Sequence, residues 1–208
     1  MAGFGFKKLK LDGAYLIENF HAGDRRGGFT KCFEKEIYAQ AGIEFRLNET
    51  FASVSAKNVI RGLHFQTHNP QAKLVCVLQG KVWDVIVDLR SDSSTYGKWI
   101  AEELSAENHR ALYVPRGFAH GFVSLEDGTI MLYQCDGAYD KESDTGIMYN
   151  DPQLAIEWPI NEELGIHSER DLKLMSLEEY EKTYLDITIR NIHLPQCSGR
   201  NNSNFENI

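Results

Sequence analysis

The sequence predicts an all-β sandwich or barrel. Three observations carry that expectation: short runs rich in β-branched and aromatic residues, turn signals between them, and little helical periodicity. The first runs span 14–20, 29–33, 50–55, 59–65 and 72–78; the later ones span 81–89, 98–103, 111–114, 121–125 and 129–135. The clearest is 81–89, where Trp83, Val85, Val87 and Leu89 alternate with Val82, Asp84, Ile86 and Asp88. Period-two alternation sends these sets to opposite faces, and the mixed second face suits the interior of a barrel that holds a polar ligand. Gln79-Gly80, between two runs, reads as a hairpin turn with glycine at the positive-φ position. Helical signals are confined to 34–41 and to 176–184, which opens on a Ser176–Glu179 capping box. Beyond Tyr184 the chain turns polar, with Pro195 and Gly199 followed by Arg200-Asn201-Asn202-Ser203-Asn204, the composition of a loosely attached tail. The expected organisation is one domain over 1–175 with a C-terminal helix and polar tail over 176–208.

With 208 residues, 42% of them hydrophobic and 25% charged, the chain has enough apolar material for one sizeable core. A net charge of −8 argues against a protein that grips nucleic acid through bulk charge. It leaves room for a nucleotide ligand, since a few local Arg and Lys residues suffice for a diphosphate. No apolar run reaches membrane-spanning length, and the N-terminus does not read as a signal peptide. Cys32, Cys76, Cys135 and Cys197 are scattered, which predicts free thiols in a reducing cytoplasm and neither a disulfide framework nor a zinc site.

Three segments place polar groups inside strand-like apolar runs. In Arg61-Gly62-Leu63-His64-Phe65-Gln66, a regular strand would put Arg61 and His64 on opposite faces unless Gly62 permits a bulge. Taken alone, His64 reads as a satisfied interior histidine. Lys73 opens the apolar run 72–78; it is either a snorkelling edge residue or, desolvated, a cation facing a developing oxyanion. His120 and Tyr133 sit in equally apolar company, where core hydrogen bonding is the plain alternative. Together the segments offer a base, an acid, a cation and hydrogen-bond donors, a set suited to proton transfer beside a carbonyl.

The order of motifs resembles the dTDP-4-dehydrorhamnose 3,5-epimerase family. The likeness runs from about Tyr15 to Met175 and rests on Asp24-Arg25-Arg26-Gly27-Gly28-Phe29, Ser53-x-Ser55, Arg61-Gly62-Leu63-His64-Phe65-Gln66 and Ala72-Lys73-Leu74-Val75. It continues through Gly80-Lys81-Val82-Trp83-Asp84-Val85-Ile86-Val87-Asp88-Leu89-Arg90, Pro115-Arg116-Gly117-Phe118-Ala119-His120-Gly121-Phe122, Asn150-Asp151-Pro152 and Ser168-Glu169-Arg170-Asp171. The resemblance implies a cupin jelly roll, an antiparallel double-sheet barrel that works as a homodimer in the cytoplasm. It implies epimerisation at C3, C5 or both of a nucleotide-diphospho-4-keto-6-deoxyhexose in deoxysugar biosynthesis, of the kind that supplies lipopolysaccharide O-antigen. Neither cofactor nor metal, and no nucleic-acid or membrane partner, is implied.

Carried over residue by residue, His64 resembles the base that removes the proton beside the ketone, and Asp171 the carboxylate that orients it. Lys73 resembles the group facing the C4 oxygen, and Tyr133 the acid that returns a proton from the opposite face. Arg61 and His120 resemble substrate-binding residues near the sugar and diphosphate, Arg26 an arginine at the nucleotide end, and Tyr139 a stacking partner for the base. Several positions depart from the family pattern. Lys31 stands where a glutamate is usual, Glu49-Thr50-Phe51 where Gln-x-Asn is usual, Gln134 in place of lysine, and Asp144 is the shorter of two acids. Lys31, Glu49 and Asp144 are therefore expected in substrate recognition, with a nucleotide other than thymidine, CDP or GDP, in view. A metal-dependent cupin is the main rival, but His64 and His68 are four residues apart and Lys73 stands near the expected carboxylate ligand. A non-catalytic sugar-nucleotide-binding cupin is the second; mere binding has no use for both a base and an opposing acid.

Overall fold

A computed structural model describes residues 3–185. The strands, in chain order, are β1 (Gly5–Lys8), β2 (Tyr15–Glu18), β3 (Phe20–Asp24), β4 (Gly27–Lys31), β5 (Glu49–Ser55), β6 (Ile60–Gln66), β7 (Ala72–Gln79), β8 (Lys81–Asp88), β9 (Trp99–Ser105), β10 (Arg110–Val114), β11 (Phe118–Ser124), β12 (Thr129–Asp136) and β13 (Asp144–Gly146). They form a six-stranded sheet ordered β1-β2-β10-β7-β12-β5, a five-stranded sheet ordered β13-β6-β11-β8-β9, and a separate β3-β4 ribbon. All the strand pairings are antiparallel. The expected all-β double-sheet jelly roll is the architecture found.

Alternation sorts the side chains into three apolar layers. In β8, Val82 and Ile86 point between the sheets to meet Val75, Val77, Leu112 and Phe122, while Val85 and Val87 point outward. That outer layer is roofed by Ile147, Leu154, Trp158 and Leu177 from the C-terminal third. On the far side of the six-stranded sheet, Leu74 and Cys76 pack under Tyr38, Ile43 and Phe45. Each fully buried aliphatic or phenylalanine side chain contributes ~1.5–3 kcal/mol, so this layering holds the two sheets face to face around whatever space their polar residues leave.

Several expectations need correction. The Gln79-Gly80 turn has the positive φ (76°), but it is not a hairpin: β7 lies in the six-stranded sheet and β8 in the five-stranded one. The run 14–20 breaks at Asn19, whose backbone N–H turns to His109 O (3.2 Å), dividing β2 from β3. β1 and the three-residue β13 have no counterpart among the expected runs.

The first helix, α1 (Lys35–Gln40), falls inside its expected span. The second, α2 (Leu177–Tyr180), starts from a complete capping box in which Ser176 Oγ accepts from Glu179 N–H and the Glu179 carboxylate accepts from Ser176 N–H. It continues as a π-helical turn, Glu181–Leu185. Leu177 N–H donates to Asp151 Oδ2 (2.8 Å) and the Tyr180 ring meets Phe65 edge-on, so this segment is docked on the barrel. The expected polar tail lies outside the described residues. Among those described, no helix is long and apolar enough to cross a membrane.

Candidate active site

The two sheets part around a cavity of about 280 Å³. The six-stranded sheet supplies Glu49, Phe51 and Ser53 from β5, Lys73 from β7 and Tyr133 from β12. The five-stranded sheet supplies Arg61 and His64 from β6, His120 from β11 and Asp144 from β13. Arg61 and His64 share the cavity although their spacing puts them on opposite faces of a regular strand. The β6–β11 register shifts between His120 and Phe122, and Gly62 sits at φ 115°. A Cβ on Gly62 would lie 2.6 Å from Gly121 Cα and 2.7 Å from His120 O, so only glycine permits this backbone approach.

His64 Nε2 lies 2.8 Å from Asp171 Oδ1, joining residues far apart in sequence. The Asp171 side chain is only 5% exposed. Burial alone would push its pKa up, but hydrogen bonds from His64 and from Gly62 N–H (3.3 Å, to Oδ2) outweigh this and hold the carboxyl below its usual range. An ionised carboxylate only accepts, so Nε2 carries the hydrogen and Nδ1 is left with the basic lone pair. His120 is held similarly, its Nε2 at 3.0 and 2.9 Å from the two oxygens of Asp84. Burial drives the Asp84 carboxyl upward, opposed by His120 and Lys73.

Withdrawal from water lowers the pKa of Lys73, with Cys135, Asp144, Asp84 and Glu49 partly restoring it. Burial raises that of Tyr133, so its phenol stays protonated as a donor. Arg61 is anchored by Ser55 Oγ (3.1 Å) and Val54 O (3.2 Å). Asp144 braces one wall, accepting from the Tyr139 hydroxyl (3.1 Å) and lying 2.9 Å from Arg170 Nη2. Glu49 Oε1 accepts from Gln71 Nε2 (3.0 Å).

Of the residues singled out from sequence, His64, Lys73, His120, Tyr133, Arg61, Tyr139, Glu49 and Asp144 line this one cavity, with Asp171 directly behind His64. Arg26 and Lys31 do not line it. Arg26 is at the tip of the β3-β4 ribbon, 85% exposed and paired with Asp24, while Lys31 pairs with Glu34 at 2.6 Å. The ribbon pairs with neither sheet, which carries both residues away from the chain's own cavity. Sequence reasoning missed Gln71, Arg170 and the Asp84 partner of His120. Asp84 was legible as the one acid between Val82 and Ile86 on the inner face of β8. Among the described residues, no group of three or more His, Cys, Asp or Glu side chains could hold a metal ion.

A family model described as dTDP-4-dehydrorhamnose 3,5-epimerase matches residues 8–179. The dTDP-4-dehydrorhamnose 3,5-epimerase of Methanothermobacter thermautotrophicus is 45% identical over 181 residues, 86% of this chain and 97% of that one. Among solved structures, the dTDP-6-deoxy-D-glucose-3,5-epimerase of Legionella pneumophila, in complex with dTDP-4-keto-L-rhamnose, superposes with a TM-score of 0.81. It is 40% identical, covering 84% of this chain and 93% of that one. A 4-keto-6-deoxy sugar epimerase from the novobiocin cluster of Streptomyces spheroides superposes at 0.82 with 34% identity, covering 87% and 91%.

Proposed function

Given that the chain belongs to the dTDP-4-dehydrorhamnose 3,5-epimerase family, we propose a residue-by-residue mechanism for its epimerisation of a nucleotide-linked 4-keto-6-deoxyhexose. The enzyme is an isomerase. A carbon next to a ketone loses its proton only if a base reaches the hydrogen and the resulting enolate oxygen is stabilised. His64 Nδ1 is that base, and Asp171 holds its tautomer and offsets the imidazolium that forms. Lys73 faces the C4 oxygen, where an ammonium in a cavity withdrawn from water acts more strongly than in bulk solvent. Tyr133 then donates its proton to the opposite face of the carbon, inverting the centre. Arg61 and His120 hold the sugar and diphosphate, and Tyr139 stacks on the base.

One observation carries this reading: a carboxylate-held histidine and a protonated tyrosine line the same cavity from facing sheets. Base and acid on one wall would exchange a proton without inverting anything. The test is to incubate dTDP-4-keto-6-deoxyglucose and its CDP- and GDP-linked counterparts with enzyme in deuterium oxide. Deuterium at C3, C5 or both of an inverted product supports the assignment and identifies the centre. No incorporation into any of the three overturns it.

The nucleotide need not be thymidine. Glu49 brings an acceptor-only carboxylate into the cavity where the family motif has an amide. Cytosine N4 and guanine N2 are amino donors that thymine lacks, which favours CDP or GDP. We also propose a homodimer, because the ribbon bearing Arg26 and the exposed Phe29 stands clear of its own cavity, free to meet a partner copy. Light scattering at working concentration checks that assembly. The free thiols of Cys32, Cys76 and Cys135 fit a reducing compartment, and we place the enzyme in the cytoplasm.

A further inference from the structure

We infer that Phe51 positions the acid: it holds the Tyr133 ring in the orientation from which the proton is delivered, and so governs how often a deprotonated sugar is inverted. The inference rests on Tyr133 being the acid, as proposed above. Phe51 and Tyr133 are direct cross-strand partners on β5 and β12. Their rings lie 4.7 Å apart between centroids at 12°, a stacked pair. The edge of His120 meets Tyr133 from another side, with centroids 6.1 Å apart at 74°. His120 is itself fixed by Asp84, so the phenol, whose ring also belongs to the apolar layer between the sheets, has one rigid edge-on neighbour and stacks on Phe51.

Phe51 is an unusual residue to find there. It is 48% exposed and belongs to none of the three apolar layers, so the core does not account for it. It lines the cavity beside Tyr133, at a position where the family motif has asparagine. Stacked aromatic pairs favour one relative orientation over others, and that preference is what an acid needs if its hydroxyl is to point at one face of the sugar. The base is on the other sheet, so it takes no part in the cross-strand pairing of Phe51 with Tyr133.

The experiment separates the two proton transfers. Wild type, Phe51→Leu and Phe51→Tyr are incubated in deuterium oxide with the keto-sugar that wild type turns over. Total deuterium exchange and inverted product are measured together. For Phe51→Leu the inference predicts inversion per exchange down about two- to thirteenfold, the range to which a lost aromatic pair corresponds. Phe51→Tyr, which keeps the stack, should restore the ratio. A wild-type ratio in Phe51→Leu overturns the inference, as does a parallel fall in exchange and inversion, which would make Phe51 only a wall of the binding site. Absence of exchange in wild type itself would instead overturn the proposed function.

Discussion

Asp171→Asn gives the sharpest test of the dyad, because the two oxygens of Asp171 have different partners. Oδ1 faces His64 Nε2 at 2.8 Å and Oδ2 accepts from Gly62 N–H at 3.3 Å. Asparagine offers one acceptor and one donor group. The buried Gly62 N–H can only donate, so the amide oxygen turns toward it and the NH₂ toward His64. That NH₂ donates to Nε2, which shifts the ring hydrogen to Nδ1, the nitrogen that must accept the sugar proton. Loss of the charged hydrogen bond alone, ~1.5–3 kcal/mol, corresponds to roughly 10- to 150-fold in rate. The wrong tautomer removes the base as well, which places the full loss at ~10²–10⁴-fold. The assay is the initial rate of solvent deuterium entry into the keto-sugar, followed by mass spectrometry. Retention of exchange within about threefold of wild type would refute both the tautomer argument and the role of the pair.

His64→Ala should abolish deuterium exchange, whereas Tyr133→Phe should keep exchange and lose inverted product; equal effects on both would merge the two roles. Exhaustive chelation, checked by a metal assay, should leave turnover unchanged if Lys73 stabilises the enolate as proposed; loss restored by manganese, iron or zinc would contradict this. Calorimetric titration with dTDP, CDP, UDP and GDP should favour CDP or GDP, and a preference for dTDP would remove Glu49 from nucleotide selection. At Asp88, burial works against ionisation, but bonds from Arg90, Ser93 and Thr95 prevail and hold the carboxyl down to about 2 from an ordinary 3.8. A depressed pKa stabilises the fold above the ordinary value and loses that contribution as pH falls through 3.8 toward 2. Urea midpoints of Asp88→Asn should therefore vary less with pH across that window than those of wild type.

The sequence disclosed the layers of this fold better than their connections. Alternation in β8 named the inward and outward sets correctly because each is decided by neighbouring residues alone. The Gln79-Gly80 turn was visible as a turn, yet whether β7 and β8 share a sheet depends on strands elsewhere, and they do not. β13 could not be seen: Asp144-Thr145-Gly146 has no apolar alternation, and pairing with Phe65 and its neighbours makes it a strand. Within the site, the possibility that Gly62 re-aims Arg61 or His64 was readable from the glycine itself. The link from His64 to Asp171 was not. No periodicity connects residues so distant, and only the family resemblance joined them. Arg26 and Lys31 reveal the opposite weakness, since a motif match says nothing about which way a ribbon leaves the barrel.

The strands of both sheets are complete by Gly146, yet His64 receives its counter-charge only from residue 171. During synthesis, the barrel would emerge from the ribosome before the enzyme exists. A fragment ending between these points would carry every strand, but neither the whole roof of the five-stranded sheet nor the carboxylate that meets His64. If Asp171 orients the base as proposed, turnover reports that the C-terminal third has been made and docked.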